Sequence, residues 1–458
     1  MLDKTKKKIK LFIILIVCLL VVSTNIDLFD VEASDNEKEV DLLLDENADI
    51  QEVTAAIKEI NPDIEITEYT EVSLVHLELP EAVSTDDIVT DKEVKNEVEL
   101  AGNMPDINLG RIDLGATYSG DVEFSNYRTY GIQRISDEEL FDLMGWHVDE
   151  VTERRRSLEI STGAAVKIAL IDSGVDYNHP VLADSINLTD AQSFVTDDNS
   201  VEDTNGHGTM VAGVIKQVAP GAIITPYRVI GDSTGDSLWT ISAIIEAVND
   251  GNDIINASIG TYKCKDIKSE QLTIKAFERA IKYAKKNDVI VVASAGNLGL
   301  NLDQYYKTEH IKHLPGGIKG VNAISAVAEN QLASYSNYGS NIQYCAPGGD
   351  LIYVDGYIDL SYWIYCLYPT SIDNGLTELG IPQGYTFSYG TSFSAPIVSA
   401  GSADVLSYYK RNHKKVKVKD VEKALTKGAI DLGSKGKDSY YGEGLIDIYN
   451  SLMSISER

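Results

Sequence analysis

Three short stretches of the sequence carry residue types that together can run nucleophilic chemistry. IDSGVD spans Ile171 to Asp176, NGHGT spans Asn205 to Thr209, and GTSFSAP spans Gly390 to Pro396. A serine hydroxyl is a weak nucleophile until a base takes its proton, and imidazole suits that task because it titrates near neutral pH. A carboxylate bonded to the far ring nitrogen fixes the tautomer and stabilises the imidazolium. Asp172, His207 and Ser392 therefore supply an orienting carboxylate, a base and a nucleophile. Each is ordinary alone, since such Asp, His and Ser residues commonly cap turns and helices. A fourth stretch, ASAGN from Ala293 to Asn297, ends in an amide that can donate to an oxyanion, although GN is also a common turn pair. Metal-ligand spacings such as CxxC or HExxH are missing from the sequence, so neither a metal nor a cofactor is expected.

The elements that must position these groups are legible from about Trp146 onward. Val166 to Ile171, Ile223 to Val229, Ile254 to Ile259, Val289 to Ala293 and Gly320 to Ala326 read as buried strands. Ile241 to Asn249 and Leu272 to Lys286 read as helices between them. Alternation of continuous apolar strands with helices predicts a parallel sheet covered on both faces. Catalytic groups then belong at the carboxyl ends of the strands, where Asp172 and Asn297 fall.

Aspartate, histidine and serine in that chain order, each in its small-residue motif, resemble the subtilisin-like serine proteases. The resemblance runs from about Trp146 to Asn450 and includes the closing YGEGLIDIYNS. It implies a three-layer α/β fold with a mostly parallel central sheet, and a serine endopeptidase with Ser392 as nucleophile, His207 as base and Asp172 as orienting group. Asn297 and the backbone N–H of Ser392 would form the oxyanion hole. NASIG resembles the segment lining the primary pocket, so Ser258, Ile259 and Gly260 would bind an extended peptide or protein substrate by strand addition. Ser233, Thr234 and Gly235 would supply the opposite edge. By the same resemblance His313, two residues before Pro315, falls at the pocket base, preceded by Lys312. A base there favours an acidic side chain before the cleaved bond; a shift of register would instead make His313 a surface residue. Val181, after His179-Pro180, lacks the donor that holds calcium in many relatives.

The segment WHVDEVTERRRSLEISTG, with Trp146, Asp149 and Thr152, resembles the start of the catalytic domain in lanthipeptide leader peptidases. That implies removal of leaders from modified peptide precursors. A broad-specificity extracellular subtilisin is the alternative, and a non-catalytic binding module on the same scaffold is a third reading.

The amino end predicts export. Five lysines precede an apolar run from Leu11 to Val22, too short to span a bilayer, and Val31 and Ala33 precede Ser34. Residues 1–33 read as a signal peptide, so a secreted, extracellular enzyme without a stable membrane anchor is expected. Residues 34–99 read as an acidic α+β propeptide and linker, residues 100–145 as a connection, and residues 146–458 as the catalytic domain. The strand Val40 to Leu44, the helix Asp49 to Ile60 and the alternating Ile64 to Leu79 define the module, and Glu81 to Asn108 reads as a linker with accessible peptide bonds. In the related proteases such a module is a chaperone-inhibitor removed by self-cleavage, so the chain's own propeptide is an expected partner. Glu97 and Glu99 are candidate cleavage points under an acidic preference; Arg111, Arg128, Arg134 and Arg154 to Arg156 are the basic ones. The chain carries a net charge of −30, of which −17 lies in residues 34–99, which argues against nucleic acid as a partner. Cys264, Cys345 and Cys366 remain after the signal; Cys345 and Cys366 could pair, or all three could be buried thiols.

Overall fold

In the computed structural model the described residues are 38–108, 116–117, 127–128, 144–196, 198–231, 234–354, 357–377, 380–412 and 416–456. The expected signal peptide lies outside them. Among the described residues no helix is long and apolar enough to cross a membrane.

The central sheet runs in the order Gln331–Leu332, Asn322–Ala328, Ile290–Ser294, Ile254–Ala257, Lys167–Asp172, Ile223–Arg228 and Gln192–Ser193. Ile342–Pro347 also pairs with Asn322–Ala328. Gln331–Leu332 pairs antiparallel and the other pairings are parallel. Strand Lys167–Asp172 shows why both faces are covered. Ile168 and Leu170 join the core beneath the helices His207–Val218 and Thr391–Arg411, whereas Ala169 and Ile171 join the core beneath Ser237–Asn249 and Lys268–Lys286. Burying each of Ile168, Leu170 and Ile171 contributes roughly 1.5–3 kcal/mol. The expected α/β architecture with a mostly parallel sheet is what the chain adopts.

Residues 38–102 form a four-stranded antiparallel sheet in the order Glu65–Tyr69, Leu74–Glu78, Glu39–Leu44 and Val98–Gly102. Its core includes Val53 and Ile57 of the helix Ile50–Ile60, which Asp49 caps by accepting from the backbone N–H of Gln51. The expected linker over 81–108 is a difference. Thr85–Val89 and Lys92–Lys95 are short helices, begun by Ser84 and Asp91 as caps and anchored by the buried Ile88 and Val94. Glu99 lies within a paired strand.

The module packs on the helix Lys268–Lys286. Arg279 Nη1 donates to the carbonyls of Leu44 and Val72 at 2.7 and 3.0 Å, and Arg279 Nη2 meets Glu99 at 2.6 Å. Lys275 also pairs with Glu99, and Lys282 with Glu46. Leu43, Val72, Leu74 and Met104 enter the same apolar cluster as Phe277 and Ile281. The chain then pairs Asp106–Asn108 antiparallel with Thr234–Asp236, and Ala116–Thr117 antiparallel with Tyr385–Tyr389. Cys264, Cys345 and Cys366 are free thiols.

Candidate active site

Asp172 is the last residue of its strand and fully buried. Its Oδ1 accepts from His207 Nδ1 at 2.7 Å and from the backbone N–H of Ser173 at 2.8 Å. His207 opens the helix His207–Val218, and the loop before it is fixed by Asp203. That buried carboxylate accepts from Ser173 Oγ, from the N–H groups of Asn205, Gly206 and Thr209, and from Thr209 Oγ1, at 2.6–3.0 Å. Gly208 is required at its position: a Cβ there would stand 2.0 Å from the Gly174 carbonyl oxygen, so the histidine's helix could not approach the aspartate's strand.

Ser392 is the second residue of the helix Thr391–Arg411 and is buried. Its Oγ donates to the Ser258 carbonyl at 3.0 Å, and Ser258 Oγ donates back to the Ser392 carbonyl at 2.8 Å. The adjacent Phe393 ring lies 5.9 Å from the His207 ring. Ser392 thus stands at a helix N-terminus, where unsatisfied N–H groups and the dipole favour a developing anion. Asn297, after strand Ile290–Ser294, is turned by Thr391. Asn297 Oδ1 accepts from Thr391 N–H at 2.8 Å and from Thr391 Oγ1 at 2.7 Å, while Thr391 Oγ1 accepts from Gly296 N–H at 3.1 Å. With its oxygen held there, the amide is presented as a donor.

Ser258, Ile259 and Gly260 are buried and follow directly on strand Ile254–Ala257. Ser233 lies outside the described residues. Thr234 and Gly235 belong to the strand already paired with Asp106–Asn108, so the expected substrate edge carries a segment of the chain itself. Gly235, Gly260, Ile230, Ile259, Phe277 and Leu314 line a small apolar pocket beside it.

His313 is buried, so the surface alternative is set aside. It lies in strand Ile311–Leu314, opposite Tyr262 of Thr261–Cys264. Its ring meets Gly260 edge-on, Nε2 foremost, so that a Cβ there would come within 2.3 Å of Nε2, and lies 4.9 Å from the Tyr262 ring. Neither ring nitrogen has a hydrogen-bond partner among the described residues, and burial pushes the imidazole down to about 4. Lys312 points elsewhere and pairs with Glu278 at 2.7 Å.

Sequence reasoning missed Asp203 and Thr391. The signals were an Asp four residues before the histidine and a Thr immediately before the serine. Among the described residues no group of three or more His, Cys, Asp or Glu could hold a metal ion.

The subtilase family profile matches residues 163–444, more than half of the chain. The epidermin leader peptide-processing serine protease of Staphylococcus epidermidis is 29% identical over 357 residues, covering 70% of this chain and 76% of that protein. A crystal structure of a lanthipeptide protease superposes with a TM-score of 0.66 at 39% identity, covering 71% of this chain and 98% of that one. The epidermin leader peptide-processing protease of Staphylococcus aureus gives a TM-score of 0.71 over 92% of this chain and 100% of its own, at 24% identity, a likeness of fold.

Proposed function

The chain belongs to the subtilase family of serine endopeptidases and is related to the lantibiotic leader peptide-processing proteases, and from that premise we propose that it is an exported, self-processing leader peptidase acting on lanthipeptide precursors. In this reading Ser392 attacks the scissile carbonyl, and His207 takes the hydroxyl proton and returns it to the leaving amine. Asp172 holds the imidazole and stabilises its charged form, while Asn297 and the Ser392 N–H receive the oxyanion. The observation that carries the reading is the buried Asp172–His207 hydrogen bond of 2.7 Å, with the His207 ring beside Phe393, Ser392 bonded to Ser258 after the neighbouring strand, and Asn297 held by Thr391.

His313 supports a preference for an acidic side chain, Glu or Asp, before the cleaved bond. It is a buried base with both nitrogens unengaged among the described residues, against the Gly260 wall. A substrate carboxylate would supply its missing partner.

Residues 38–108 act as the propeptide. Support comes from the ion pairs on helix Lys268–Lys286 and from Asp106–Asn108, which lies along the edge where a substrate strand is expected. Self-cleavage then follows Asn108 and precedes Ala116, in a stretch containing Arg111 and Asp113. Glu97 and Glu99 are discarded as cleavage points because Glu99 is in a paired strand with its carboxylate engaged by Lys275 and Arg279.

A peptide library varied at the position before the cleaved bond tests the assignment. Strict cleavage after one kind of side chain, acidic or Arg, supports the processing enzyme, and only the acidic outcome supports the role given to His313. Broad cleavage would establish the scavenging subtilisin instead, and absence of cleavage together with no phosphonate labelling of Ser392 would establish a binding module.

A further inference from the structure

Asn337 is fully buried, and all four hydrogen-bonding positions of its amide are used. Its Oδ1 accepts from the N–H groups of Leu298 and Leu300 at 3.1 and 2.9 Å. Its Nδ2 donates to the Ala295 carbonyl at 2.9 Å and to Tyr262 Oη at 2.7 Å. The backbone N–H of Asn337 donates to the Gly296 carbonyl at 2.9 Å. One residue therefore holds the chain on both sides of Asn297, at 295, 296, 298 and 300. The same amide reaches Tyr262, whose ring lies against His313.

We propose that Asn337 is a positioning residue that fixes the oxyanion loop and ties it to the wall of the specificity pocket. Thr391 sets the side chain of Asn297, and Asn337 sets the backbone from which that side chain projects. Filling the pocket against His313 and Tyr262 is thereby felt at the oxyanion donor. The proposal rests on the reading of Asn297 as that donor and of His313 as the pocket base.

The test is a double-mutant cycle with Asn297→Ala and Asn337→Ala, using a peptide that the wild-type enzyme cuts. Asn297→Ala is expected to lower kcat by roughly two to three orders of magnitude. Asn337→Ala is expected to lower kcat by at least about tenfold with KM within about threefold, a loss of transition-state positioning and not of binding. The double variant is expected to be no worse than Asn297→Ala within about threefold, because both remove the same donor. Asn337→Asp keeps acceptors for Leu298 and Leu300 and serves if the alanine variant does not fold. Its kcat should fall, and fall further as pH rises and the new carboxylate, once ionised, faces the Ala295 carbonyl that the amide had donated to. A kcat within about twofold of wild type in the folded variant, or losses that simply multiply in the double variant, would overturn the coupling alone. A normal kcat in Asn297→Ala would overturn the oxyanion reading as well.

Discussion

The charge state of His313 makes the proposed specificity depend on pH in a calculable way. In the empty pocket burial holds the imidazole neutral, with its pKa pushed down to about 4. Seating a glutamate carboxylate against it draws in a proton, because the opposite charge favours the imidazolium. Returning that imidazolium to its ordinary value near 6.5 is a shift of about 2.5 units. It corresponds to about 3.4 kcal/mol, or roughly 300-fold, in favour of the charged side chain. The full factor applies below about pH 4; between there and the bound-state value near 6.5 every pH unit costs about tenfold in apparent affinity for glutamate, and above it the dependence levels off.

The assay compares kcat/KM for two peptides that differ only by Glu or Gln before the scissile bond. Effects of pH on the catalytic groups are shared by the two peptides, so their ratio isolates the pocket. The expected Glu-to-Gln ratio falls about 20-fold between pH 5 and pH 7 and is flat above about pH 7.5. In His313→Gly the ratio should lose both its size and its slope. A ratio flat from pH 5 to pH 7, or Gln cut better at pH 5, would refute the proton-linked pocket.

Two further outcomes can be checked directly. Wild-type precursor should mature to a species whose intact mass places its first residue between 109 and 116, while Ser392→Ala stays uncut yet folded; a mature chain starting at Val98 or Leu100 would contradict the cleft-strand reading. His147 and His313 are both buried with pKa values of about 4, below the unfolded value near 6.5, so the unfolded chain binds more protons between those limits. Stability is therefore lost as pH falls from about 6.5 to 4, by up to about 3 kcal/mol per histidine. Melting of the Ser392→Ala protein should drop over that range, and His147→Asn should flatten the drop; an unchanged melting temperature from pH 7 to 4.5 would contradict the burial argument.

What the sequence disclosed follows from how each feature is encoded. Parallel strands buried on both faces are written as continuous apolar runs, so Lys167–Asp172 and its neighbours were legible to within a residue or two. Asp172, His207 and Ser392 were legible because tight approach demands small neighbours: Gly208 must be glycine for the histidine's helix to meet Gly174. The short helices at Thr85–Val89 and Lys92–Lys95 were not, since five and four residues hold too little periodicity and only Ser84 and Asp91 announce them. Asn337 was invisible for a different reason. Its importance lies in partners 37 to 75 residues away, and an isolated Asn in SYSNYG reads as a turn. Pairing of Asp106–Asn108 with Thr234–Asp236 is equally non-local, so the occupied cleft edge could only emerge from the assembled fold.

The same assembly gives the acidity of the amino-terminal module a physical role. Its carboxylates Glu46 and Glu99 meet Lys282, Lys275 and Arg279 on one helix face. Lys275 and Arg279 beside Glu99 hold its carboxyl below the usual range. Exposed pairs of this kind contribute only about 0–1 kcal/mol each, and salt screens them. They therefore set the orientation and rate of docking more than its strength. Affinity must come from the buried part: Leu43, Val72, Leu74 and Met104 in the apolar cluster, and the Arg279 guanidinium closing over the carbonyls of Leu44 and Val72. In the proposed zymogen, cutting the chain after Asn108 removes none of these contacts. Maturation thus requires the module to dissociate or be degraded after cleavage, and high salt alone would not release it.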